Sequence, residues 1–99
     1  MARVPESDLR EIGLKAAQSI LGPGKVEAVE VVSGNDSSDE PAHFFSFLFD
    51  QDPEGTGLSW IRVGQKIRDE LVERGDDAYP YVSILSRRDW ERRERAPSA

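Results

Sequence analysis

Leu9, Ile12, Ala16 and Ile20 recur at intervals of three and four, with Gly13 and Ala17 beside them. That spacing predicts a helix with one apolar stripe. Asp8 and Glu11 form a capping-box-like pair at its start, and Pro5 suits the entry. Gly22-Pro23-Gly24 ends it, since glycine takes the left-handed position past a helix and proline cannot continue the ladder. Small residues at 13, 16 and 17 predict a close approach to whatever lies beneath. Lys25–Val32 is rich in valine and predicts a first strand. Its alternation is broken, because Val26 and Ala28 share one parity and Val29 and Val31 the other. Either both faces are partly buried or a bulge shifts the register. Ser33–Pro41 is turn chemistry throughout. Ala42–Phe49 predicts a second strand with Phe45, Phe47 and Phe49 on one face and Phe44, Ser46 and Leu48 on the other, the mark of a central strand covered on both sides.

The second half repeats the alternation of layers. Leu58–Glu73 predicts a helix with Trp60, Val63, Gly64, Ile67 and Leu71 on its inner face, Ile61 and Val72 flanking them, and Gly75 just past its end. Tyr79–Ser86 predicts a third strand. Pro80 lacks an amide donor and belongs at its start or on an edge. Ser86 can cap a short last helix, Arg87–Arg95, whose only large apolar residue is Trp90. The fold class is therefore α+β, an α-β-β-α-β two-layer domain with a short C-terminal helix. The first two strands should pair antiparallel, and a right-handed crossover should make the second and third parallel. The result is a three-stranded mixed sheet with helices on one face. Residues 1–95 form one domain on this reading, and 96–99 are expected to be a disordered tail.

Composition narrows the function classes. The net charge of −6 disfavours nucleic acid, whose binding draws most of its affinity from cations on phosphate, and favours basic partners. The chain has no cysteine, which removes disulfides, thiolate metal sites and a cysteine nucleophile and suits a reducing compartment. Charges within residues 1–20 leave no apolar signal segment, and no apolar run is long enough to span a membrane. A soluble cytoplasmic protein is expected.

Three features carry possible chemistry. Asp50, Asp52 and Glu54 place carboxylates at alternate positions after a strand, as an oxygen-rich Mg²⁺ or Ca²⁺ site would. An EF-hand loop from Asp50 would want glutamate where Ile61 stands, so an acidic connecting loop is the plainer reading. A metal-dependent enzyme at this loop is kept as an alternative. His43, the single histidine, shares the parity of Phe45 and reads as a partly exposed strand-end residue able to titrate at an interface. Ser46 and Ser83 are available hydroxyls, but neither sits on a nucleophile elbow. Arg87, Arg88, Arg92, Arg93 and Arg95 outnumber Asp89, Glu91 and Glu94 in the last segment. With Trp90 among them they read as a docking helix, against the plainer alternative of a final amphipathic turn whose Trp90 covers the sheet end and whose arginines are salt-bridged in solvent. Nucleic-acid binding through this segment is a further alternative. No Gly-x-x-Gly loop supports it.

From Ile67-Arg68-Asp69-Glu70-Leu71 through the turn Gly75-Asp76-Asp77 to Tyr79–Ser86, with Ile20-Leu21-Gly22 at the early helix end, the chain resembles small bacterial proteins encoded beside a second small protein of the HEPN or toxin-like type. The resemblance implies a partner-binding role and carries over no catalytic residue. The expected function is thus a small non-enzymatic protein-interaction module, an accessory or antitoxin-like partner. No cofactor is expected, and self-association or a protein partner is. Trp90, Arg87, Arg88, Arg92 and His43 are the interaction candidates.

Overall fold

A computed structural model of the protein describes residues 4–22, 24–49 and 57–95. The elements run α1 (Glu6–Leu21), β1 (Ala28–Asn35), β2 (Pro41–Leu48), α2 (Gly57–Glu73), β3 (Tyr79–Leu85) and α3 (Arg87–Arg95). The strands form one mixed sheet in the order β1-β2-β3, antiparallel between β1 and β2 and parallel between β2 and β3. This is the α+β architecture that the periodicities predict. Among the described residues, no helix is long and apolar enough to cross a membrane.

Two elements depart from expectation by more than a single residue, each for a local reason. The first helix starts at Glu6, with Pro5 in the N-cap position and no side-chain cap. The Pro5 carbonyl accepts the Leu9 N–H at 2.9 Å, and Glu6 pairs with Arg10 at 3.1 Å, so the Asp8–Glu11 pair falls inside the helix. The first strand is shifted toward the C-terminus and absorbs Ser33-Gly34-Asn35. The turn that remains is tied by Asp36, whose Oδ1 accepts the N–H groups of Ser38 at 2.8 Å and Glu40 at 3.1 Å. A bulge explains the broken alternation. The Glu27 N–H bonds the Leu48 carbonyl at 2.9 Å while Ala28 also stands opposite Leu48, so two residues face one. The extra residue brings Val26 onto the same buried side as Val31.

The core lies between the sheet and two helices. Phe45 and Phe47 are fully buried, and Phe49 nearly so. The Trp60 ring of α2 lies 5.2 Å from Phe47 and 5.5 Å from Phe49. Helix α1 crosses the same face at Gly13, where an added Cβ would stand 2.9 Å from Cδ2 of Phe45 and 3.0 Å from Cε2. Alanine at 13 would gain about 1 kcal/mol of helix propensity. It would also press on a ring that is enclosed on every side, at about 1–3 kcal/mol. Gly13→Ala is therefore expected to be net destabilising by about 1 kcal/mol, read as a lower urea midpoint with an unchanged slope.

Ala42, Phe44, Ser46 and Leu48 occupy the opposite face of β2. There Phe44 stacks on Tyr81 of β3 at 5.4 Å, and the Tyr81 hydroxyl donates to Oδ2 of Asp36 at 2.9 Å. The central strand is thus covered on its helix side by the core, while its other side is only partly covered, with Phe44 and Ser46 half-buried.

Candidate functional site

The end of α2 sets a buried polar centre. Gly75 takes φ 82°, the Asp76 N–H bonds the Leu71 carbonyl at 2.9 Å, and the Gly75 N–H bonds that of Val72 at 3.0 Å. This is a Schellman cap, whose last residue usually turns an apolar side chain inward. Here that residue is Asp76, only 5% exposed, and its carboxylate goes inward. Oδ2 accepts the N–H of Val4 at 3.2 Å and contacts Nε2 of His43 at 2.8 Å, while Oδ1 accepts the N–H of Ala78 at 3.0 Å. Burial pushes the Asp76 carboxyl up. The hydrogen bond from His43, the two backbone donors and the His43 charge outweigh it and hold the group below its ordinary value.

His43 is fully buried, which corrects its reading as a partly exposed interface residue. Its shared parity with Phe45 turns it under the helices, and Asp76 descends to meet it. Its Nδ1 lies 2.7 Å from the Oγ of Ser33, its register partner on β1. An ionised carboxylate only accepts, so Nε2 carries the proton. Whenever the imidazole is neutral, its Nδ1 accepts from the Ser33 hydroxyl. Ser33 and Asp76 were both read as turn residues, and the parity of His43 with Phe45 was the one signal of its burial.

This Ser33–His43–Asp76 wiring has the order of an activated hydroxyl, with nucleophile, base and orienting acid in contact. A reacting carbonyl would also need a seat and donors for its developing charge. Two grooves in the described surface lie elsewhere, and neither is lined by any of the three residues. Within the fold the centre acts as a pin. It joins the N-terminal segment, β1, β2 and the turn after α2.

One groove, of ≈ 340 Å³, runs between α1 and α2 and is strongly charged. Asp8, Glu11, Asp69, Glu70 and Glu73 share it with Lys15, Lys66 and Arg74. Lys15 pairs with Glu11 at 2.8 Å and Arg74 with Glu70 at 3.0 Å. Lys15 holds the Glu11 carboxyl below its ordinary value by hydrogen bond and charge.

The other groove, of ≈ 500 Å³, lies between α2 and β3 and is different in kind. Trp60, Ile61, Gly64, Tyr79, Val82 and Ile84 give it an apolar lining, and its one charged residue, Arg68, lies over the Tyr79 ring at 5.4 Å. The apolar surface continues along α2 into water, with Leu58 76%, Ile61 58% and Val72 59% exposed. Among the described residues, the buried indole N–H of Trp60 has no acceptor. An orphaned donor of this kind costs about 1–3 kcal/mol.

The C-terminal candidates are placed on α3. Ser86 caps it through the Asp89 N–H at 3.3 Å. Arg87 is paired with Glu27 beside β1, and Trp90 is half-buried, which ties this helix to the sheet. Arg88 and Arg92 are exposed. Asp50, Asp52 and Glu54 lie outside the described residues, as does the expected tail 96–99. Among the described residues, no group of three or more histidines and carboxylates could hold a metal ion.

Comparison with protein-family models, with curated proteins and with solved structures returns no significant match, so the reading of function rests on this chain's own surfaces.

Proposed function

We propose that the protein is a non-enzymatic interaction module, an accessory or antitoxin-like partner, and that it docks through the flank formed by α2 and β3. One observation carries this reading. Helix α2 buries Trp60, Val63, Ile67 and Leu71 in the core, yet it also holds Ile61 in water at the open groove, with Leu58 and Val72 exposed elsewhere along the helix. Apolar residues gathered around a groove mark interaction surfaces more often than scattered ones do. The absence of any residue match leaves the toxin-like partner as an implication of the resemblance alone.

The test is a surface charge. Ile61→Arg lies outside the core, so its unfolding free energy is expected to stay within about 0.5 kcal/mol of the parent. Complexes with the neighbouring gene product, or with any partner using this flank, are expected to weaken at least tenfold by titration calorimetry. Unchanged affinity would overturn the assignment of the surface.

The hydrogen-bonded Ser33–His43–Asp76 chain favours a second reading, acyl transfer at Ser33. On the proposed reading, a fluorophosphonate probe leaves Ser33 unmodified by peptide mass spectrometry. Labelling that disappears in His43→Gln would establish a reactive serine and displace the non-enzymatic reading.

A further inference from the structure

We propose that the flank is built for a second copy of this chain. The two copies would be related by a twofold axis, with β3 paired antiparallel to its counterpart and the two α2 helices packed side by side. This rests on the α2–β3 flank being the docking surface, and it names the occupant.

The first support is the free edge. Among the described residues, the sheet order leaves β3 with one unpaired side. The Leu85 carbonyl accepts the Phe49 N–H at 3.0 Å, so Leu85 turns its main chain toward β2. By the period of two, Ser83, Tyr81 and Tyr79 do the same, and Pro80, Val82 and Ile84 turn theirs outward. Pro80, which has no donor to offer, thus sits where no strand of its own sheet asks for one. Val82 and Ile84 each present an N–H and a C=O. If Val82 of one copy stands opposite Ile84 of the other, the axis passes at Ser83. Four ladder bonds then form, and Pro80 falls at each end of the pairing.

The second support is the stripe that α2 carries along that edge. Helix α2 reaches β2 through the long side chain of Trp60, and through Gly64, whose added Cβ would lie 3.8 Å from Val82, it packs closely over β3. Continuing the sheet through the axis would bring the two α2 helices alongside each other. Gly64 stands level with Val82, so Ile61 comes nearest the axis, with Leu58 and Gln65 one turn to either side. The stripe that is exposed in one chain would meet its own copy, as an isologous contact requires.

Charge selects the same face. Each copy carries −6, and two acidic chains approach best where carboxylates are few. The α2–β3 groove is lined by one charged residue, an arginine already over a tyrosine ring, whereas the α1–α2 groove has five carboxylates.

Sedimentation equilibrium of the full chain from micromolar to submillimolar concentration should give twice the 11.1 kDa protomer mass. Ile61→Arg should raise the dimer dissociation constant about 100-fold or more with an unchanged circular dichroism spectrum. Val82→Pro, which removes one outward donor, should do likewise. The Val82 and Ile84 amides should exchange more slowly as concentration rises. A chain that stays monomeric throughout the range would overturn the second copy as occupant. If Ile61→Arg then still weakened a complex with the neighbouring gene product, the docking surface itself would stand. A dimer indifferent to both variants, with those amides exchanging freely, would overturn the occupant and the surface together.

Discussion

Asp76→Ala is expected to destabilise the protein by about 3–5 kcal/mol, the scale of breaking a buried ionic contact. The side chain is 4% exposed and receives the N–H groups of Val4 and Ala78 as well as Nε2 of His43. Removing it strands all three donors in a dry site, each at about 1–3 kcal/mol before relaxation and water entry reduce the sum. For a domain whose total stability is about 5–15 kcal/mol, the loss is a large fraction. Asp76→Asn keeps an acceptor and the shape, so roughly half the loss is expected. Urea unfolding at pH 7 measures both. A change under about 1 kcal/mol for alanine would show that water replaces the carboxylate freely.

Acid should reveal the same group. Its carboxyl in the folded protein titrates below the ordinary carboxylate range, and about 3.9 is usual for an unfolded chain. A depressed folded value gives stability that is complete above the unfolded one and is lost as pH falls through the folded one. Wild-type stability should therefore fall from about pH 4 downward. Asp76→Asn should be weaker at pH 7 but flatter below pH 4, so that the two curves converge in acid. Parallel curves would assign the acid limb to other carboxylates.

Phe45→Ala is the second large effect, expected at about 3–5 kcal/mol. The ring is fully buried at the centre of β2, stacked 6.3 Å from Phe47 and closely approached by the backbone of α1 at Gly13. A helix and a sheet enclose it, so the cavity cannot close by a side-chain shift alone. Phe44→Ala, on the half-buried opposite face, should cost distinctly less, since its ring stacks mainly on the partly exposed Tyr81. Equal losses for the two would mean that both faces of the strand are equally dry.

The difference between these two phenylalanines was legible in the sequence only as parity. Alternation along Ala42–Phe49 separates the two sides, and Gly75 marks the end of α2 correctly because both signals are local. The bulge was visible too, as a clash between Val26 and Val29–Val31, but its position depends on Leu48 across the sheet. His43 was misread for the opposite reason. Its partners, Ser33 and Asp76, are 10 and 33 residues away. Both lie in stretches whose composition spells turns. Hydrophobic period says which side of a strand a residue faces and nothing about which polar group will arrive to meet it. The apolar flank of α2 stood in the sequence as Ile61 and Val72 beside the main stripe. Only the order of the sheet, with β3 on its edge, shows that the protomer leaves that flank bare.

The bond between Val4 and Asp76 spans 72 positions of the chain. Synthesis on the ribosome releases the amino end first, so the segment leading into α1 must wait for most of the polypeptide before its anchor arrives. The parallel partner of β2 arrives later still. During that interval the Phe45–Phe47–Phe49 side of the hairpin has α1 over it but lacks Trp60 and the rest of α2. The nascent chain thus exposes sticky aromatic surface until α2, which ends at Glu73, is made, and in that interval chaperone capture or premature association would compete with folding.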